Sequence, residues 1–164
     1  MATDLYVDTQ LQTAGLPVSS FVTLGKELVV LAVTYEKTAS DTNGSVLRLF
    51  KSVPGNLVPI SCQLVSDAIT GCTDVDMGIY KTNSGAVLDA DALIDGRTLA
   101  SAVALGANVA GFTGLDVANV GKKIYELAGH TAAQALGGYD IALTLNTGGT
   151  ATGTISVVLV CARA

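Results

Sequence analysis

Tryptophan is absent from this sequence, histidine occurs once, and only three prolines and three cysteines are spread over 164 residues. A lone histidine, His130, removes most acid–base schemes, because a serine or cysteine nucleophile needs an imidazole beside it and a third group to orient that imidazole. No Gly-x-Ser-x-Gly elbow accompanies it, so the expectation for His130 is a turn or surface position. Charge is equally scarce, at 14% of residues, with nine Lys and Arg against fourteen Asp and Glu. The only basic pair is Lys122-Lys123, too little to neutralise a phosphate backbone, so nucleic acid is not an expected partner. The longest apolar runs, residues 28–33 and 155–162, are far shorter than the roughly 18 residues that argue for a membrane-spanning helix. Residues 1–12 carry Asp4 and Asp8 in place of a charged-then-apolar leader, which argues against a secretory signal and for synthesis in the cytoplasm. Cys62, Cys72 and Cys161 are odd in number and at no metal-ligand spacing. Cys62 and Cys72 flank a possible strand-turn-strand and could meet, but buried thiols are the commoner outcome in a reducing compartment.

What the chain does contain is apolar sequence, 49% of residues, punctuated by 18 glycines. That combination suits tightly turned strands, and so little charge implies that partner subunits cover some apolar surface. The most informative stretch is 66–95. There Val75, Met77 and Ile79 alternate with Asp74, Asp76 and Tyr80, the period of a strand, and Gly78 within it implies a bulge or a close backbone approach in a central strand. Thr82-Asn83-Ser84-Gly85 then turns the chain, and 86–88 returns as a short strand.

Elsewhere, residues 1–20 read as an irregular or extended arm and 21–164 as one domain. Residues 27–35 (ELVVLAVTY) predict a strand buried on both faces, and Asn43-Gly44 predicts a type I′ hairpin leading into a strand at 45–51. Residues 57–65 predict a strand that Pro59 confines to an edge or a bulge, where a second subunit could dock. Asp89 or Asp91 can cap a first helical turn at 92–94, residues 97–105 fit a short helix or two, 130–136 could form one helical turn or two, and a glycine-punctuated loop is expected at 106–121 and a strand at 122–128. Residues 139–146 and 152–161 predict a terminal hairpin around Thr147-Gly148-Gly149. The sum is an all-β two-sheet sandwich or jelly roll of about eight strands with one or two short helices.

No catalytic, cofactor or metal site is predicted. Asp89, Asp91 and Asp95 superficially resemble a calcium loop but miss its spacing, with Leu93 at the fifth position, so helix capping is expected of them. Asp74 and Asp76 could form a carboxylate pair, although solvated residues on an outer sheet face are commoner. Gly106 to Gly111 lacks both a preceding strand and a Lys-Ser/Thr, so it is not a phosphate loop.

The segment Ser66-Asp67-Ala68-Ile69-Thr70-Gly71, followed by DVDMGIYKTNSGAVLDADALID, KKIYELAG and the closing TGTISVVLV, resembles capsid-associated structural proteins of tailed bacteriophages. Among these it is most similar to the decoration or cement proteins with a jelly-roll-like sandwich. The resemblance covers roughly residues 20–161. It implies a non-enzymatic homo-oligomer, a dimer or trimer, on the outer face of the virion head, with the major capsid protein as partner and no cofactor. Other roles kept open are a head-fibre base, tail or adaptor protein. A ligand-binding or metal-dependent jelly roll using Asp74, Asp76, Asp89 or Asp91 also stays open.

Overall fold

The computed structural model describes residues 28–104, 112–132 and 138–163. Among them run seven strands: β1 (Leu28–Lys37), β2 (Ser45–Val53), β3 (Leu57–Ser66), β4 (Asp74–Lys81), β5 (Val87–Arg97), β6 (Tyr139–Thr147) and β7 (Gly153–Arg163), with one short helix, α1 (Ile124–Leu127). They form two antiparallel sheets, of order β1-β7-β3 and β2-β6-β4-β5. Their apolar positions face one another: Leu64, Val157 and Leu159 from one sheet and Val75, Met77, Ile79, Ile141, Leu143 and Leu145 from the other are buried in a common core. The architecture is the all-β sandwich that the alternating pattern implies.

The pairing is nested. First pairs with last (β1 with β7), second with second-last (β2 with β6), and β4 with β5 at the innermost turn. β3 meets the returning chain at one bridge, Ser66 to Val103, sealed by Ser66 N–H to Val103 O at 3.0 Å and Val103 N–H to Ser66 O at 2.9 Å. The described strands therefore follow one long hairpin rolled into two layers, a jelly roll whose eighth strand is reduced, among the described residues, to that bridge. The tip of the long hairpin is the Thr82–Gly85 turn, closed by Gly85 N–H to Lys81 O at 2.8 Å.

This topology corrects several expectations drawn from local pattern. β6 and β7 do not form a terminal hairpin, because they belong to different sheets and the 148–152 connection crosses between layers. Asn43-Gly44 likewise carries the chain from β1 across to β2, with no ladder between those strands. β1 is an edge strand with one face exposed, so its near-continuous apolar sequence does not mean burial on both sides. Residues 89–94 belong to β5, and the described part of 97–105 forms no helix beyond that strand. Asp89 and Asp91 therefore cap nothing. Conversely, 124–127 is helical: Ile124 and Leu127, three apart, share the buried face, and the Glu126 carboxylate accepts the Lys123 amide at 2.7 Å. Pro59 fares as expected, in edge strand β3 beside a register shift between Pro59 and Ser61. Residues 1–20, Gly106 to Gly111 and most of 130–136 lie outside the described residues.

The two crossings are tied together by a buried lysine. Lys37, at the end of β1, donates to the carbonyls of Gly149 at 3.2 Å and Ala151 at 2.9 Å, and Asn43 Oδ1 accepts the Gly148 amide at 2.9 Å. Lys37→Met keeps the apolar stem and orphans those carbonyls, so it is expected to cost about 2 kcal/mol, a Tm lower by about 4–8 °C. A thermal melt showing the variant as stable as the parent would mean that water replaces the ammonium there.

Candidate interaction surfaces

One end of the four-stranded sheet gathers the polar residues of three strands. The register sets Tyr139 at the start of β6 opposite both Val53, the end of β2, and Lys81, the end of β4. β2 reaches this point through two register shifts, and Ser52 sits there with φ 55, the only non-glycine residue of positive φ among those described. Asp140, buried, holds the kink: Ser52 N–H donates to it at 3.0 Å, Thr82 Oγ1 at 2.9 Å and Arg48 Nη1 at 2.7 Å. Burial alone would raise the Asp140 carboxyl, but the Ser52 amide, Arg48 and Thr82 together overcome it and hold it below the ordinary carboxylate value. Around this knot lie two adjoining shallow depressions of about 250 and 330 Å3 that share Thr82, Asn83 and Ser84. Lys81 and His130 line the first; Arg48 and Lys51 line the second.

His130 is thus half-buried beside the turn and shares a hydrogen bond of 2.8 Å with the Tyr139 hydroxyl. The aspartates singled out by spacing scatter into different duties. Asp76 accepts from the Gly96 amide at 2.8 Å and from the Asn146 amide group, pinning β5 and β6 to β4; it makes no pair with Asp74. Among the described residues no three His, Cys, Asp or Glu side chains gather as a metal site would require. Of these aspartates, Asp89 and Asp91 are near neighbours along β5 and interact electrostatically. Burial first, then the neighbouring carboxylate of Asp91, raise the Asp89 carboxyl above its ordinary value of 3.8.

A raised carboxyl penalises folding at neutral pH. The penalty is complete above the folded-state value and gone below about 3.8, the unfolded value. Asp89→Asn is therefore expected to raise Tm by about 1–2 °C at pH 7 and to leave it unchanged near pH 3, as melts across that range would show. An Asn variant less stable at pH 7 would show that the carboxylate makes a favourable contact.

The cysteines are three free, buried thiols, and Cys62 neighbours Cys161, not Cys72. Burial pushes Cys62 up to about 12 and Cys161 up to about 11, so neither supplies a thiolate nucleophile near neutral pH.

The second surface is the outer face of the three-stranded sheet. Leu28, Val30 and Ala32 point outward along β1, and the register sets Ala162, Val160 and Val158 of β7 beside them, with Val58 of β3 next to Ala162. Leu28 is 66% exposed and Val30 61%, while Ile60, at the Pro59 bulge, is 52% exposed. The other end of this face is polar, with a Thr34–Ser156 hydroxyl pair and a Thr154 hydroxyl donating to Glu36. β1 pairs with β7 from Leu28 to Lys37 without a bulge, and no strand covers its other edge among the described residues. Of the two edges of the other sheet, β2 is bulged twice, and β5 pairs with β4 through three register shifts. A long unbulged edge is the form that accepts another chain. None of the described helices is long and apolar enough to cross a membrane.

Fold and surfaces together define a jelly-roll sandwich with one open apolar sheet face. No protein-family model and no curated protein matches the chain. Solved structures do. A chain in the capsid of Ralstonia phage GP4 is similar over 83% of this chain and 85% of its own length, at 18% identity and a TM-score of 0.50. A chain in the cyanophage Pam1 capsid asymmetric unit is similar over 85% of each chain, at 13% identity and a TM-score of 0.44. At such identities the likeness is one of fold, and only the first of the two bears on it.

Proposed function

We propose that this chain is a virion structural protein of a tailed bacteriophage: a decoration or cement protein that binds the outer face of the assembled head and stabilises contacts between major capsid subunits. The observation that carries this is the jelly-roll likeness, spanning more than four-fifths of both chains, to a component of the GP4 capsid. The open apolar face at Leu28, Val30 and Ile60 supports it, since a subunit of a large assembly needs surface to bury. Its action would be mass action without catalysis: contacts formed only with the assembled shell stabilise that shell, and many copies multiply the effect. We propose a homo-oligomer, with the unbulged β1 edge joining copies. Residues 1–20 are assigned as an arm preceding a single domain.

Quantitative mass spectrometry of purified particles tests the role. A copy number comparable to the major shell protein is expected. A handful of copies would move the chain to a tail, fibre-base or adaptor position, and absence from particles would overturn the virion role altogether.

A further inference from the structure

The chain carries a net charge of −5, with nine Lys and Arg in all, yet Arg48, Lys51 and Lys81 and the sole histidine all line the paired depressions at the hairpin tip. Asp140 is the only acidic residue in either lining, and Arg48 and two other donors already engage it. That leaves the side-chain ammonium groups of Lys51 and Lys81, both residues exposed, with no hydrogen-bond or ion-pair partner among the described residues. The other surface lysines among the described residues are engaged: Lys122 donates to Asn119 at 2.8 Å, and the Lys123 ammonium lies 5.8 Å from the Tyr125 ring centre. We infer that this tip is a docking site for a carboxylate-bearing segment of another protein chain, with Lys51 and Lys81 as its two charge contacts.

Three features favour an extended acidic segment over a compact anion. The lysines stand in different depressions, one on each side of the shared Thr82–Ser84 turn, so they bracket a span and do not converge on a point. The guanidinium that could fork around a phosphate is committed, paired with Asp140 at 2.7 Å and packed so closely on Gly85 that a side chain there would overlap it. Finally, the chain's overall negative charge repels a long polyanion, whereas two local cations suffice for a short acidic segment. The Asp140 knot gives the site rigidity, because it holds the β2 kink, the turn and β6 in one arrangement.

The inference goes beyond the virion role and is tested on the isolated protein, so the failure of either leaves the other standing. Nitrogen-15 labelled protein is titrated with a hexaglutamate peptide and, separately, with inorganic phosphate, following backbone amide shifts. The expected result is saturable shifts confined to residues 51–52, 81–86 and 138–140, weakened by added salt, and at least about tenfold weaker in a folded Lys51→Glu/Lys81→Glu double variant. Shifts spread over the surface, shifts that persist in the double variant, or no saturable shift would each overturn it. Tighter saturation by phosphate than by the peptide would overturn it too, making the tip a compact-anion site.

Discussion

Gly78→Ala is expected to abolish cooperative folding of the isolated chain or to lower its stability by at least about 4 kcal/mol, a large share of what a domain this size possesses. Gly78 lies within β4, between β6 and β5 in the four-stranded sheet. Between the pairs Met77–Ile94 and Ile79–Asp89, β4 advances two residues while β5 advances five, so β5 bulges and its backbone passes over Gly78. A methyl group at Gly78 would overlap the Asp89 carbonyl oxygen and the Ala90 carbonyl, both of them backbone and unable to rotate away. Relief would require moving the strand that carries Leu93 and Ile94 into the core. Gly44→Ala is the matched control: its φ of 80 also strains alanine, but no atom lies within 4 Å of the added carbon, so a loss of about 1 kcal/mol is expected. Urea unfolding of both variants checks the contrast, and equal midpoints would mean that β5 can shift at little cost.

Asp140→Ala is the second large effect, expected at about 3 kcal/mol, or a Tm lower by about 6–12 °C. The substitution orphans the Ser52 amide at the strained φ 55 and the Thr82 hydroxyl, and leaves Arg48 without its partner. Arg48→Met offers the comparison. The Arg48 side chain is 29% exposed, so losing it forfeits a partly solvated ion pair and about 1 kcal/mol. Near-equal losses would show that the ion pair, and not the hydrogen bonds to the kink, carries the stability. The pH dependence has a definite sign. A carboxyl held below its unfolded value of 3.8 contributes its full stability above about pH 4 and loses it as pH falls through the lower folded value. The gap between parent and Asp140→Ala should therefore be widest at neutral pH and close in acid.

Much of this fold was legible locally. The alternation of Val75, Met77 and Ile79 marks β4, and all three are buried. Pro59 marks an edge, Thr82–Gly85 a turn, and Gly78 a close approach, each because the residue's own backbone or side chain restricts what its neighbours can do. Misreadings arose where two structures share one local signal. LDADALID has the spacing of a capped helical turn, yet it pairs with β4 as a bulged strand. Ile124, Tyr125 and Leu127 look alternating, yet the spacing of three between Ile124 and Leu127 suits one helical turn against the core. Sheet membership was less legible still. Two apolar strands separated by a glycine turn predict a hairpin, and only the ladders of β6 with β2 and β4, and of β7 with β1 and β3, show the chain crossing the sandwich instead.

The candidate site was the least legible part. Arg48, Lys51, Lys81, His130 and Asp140 are separated by as many as 92 residues, and none belongs to a recognisable motif. Asp140 looks like an ordinary polar residue at the start of a strand until the register brings Ser52, Thr82 and Arg48 to it. By itself, the sequence determined that the chain is β-rich, turn-punctuated, poor in charge and without a recognisable catalytic motif, because composition and period act over a few residues. The tertiary structure alone decided which strands share a sheet, which apolar face stays open and which charges meet, because each depends on backbone pairing between segments far apart in the chain.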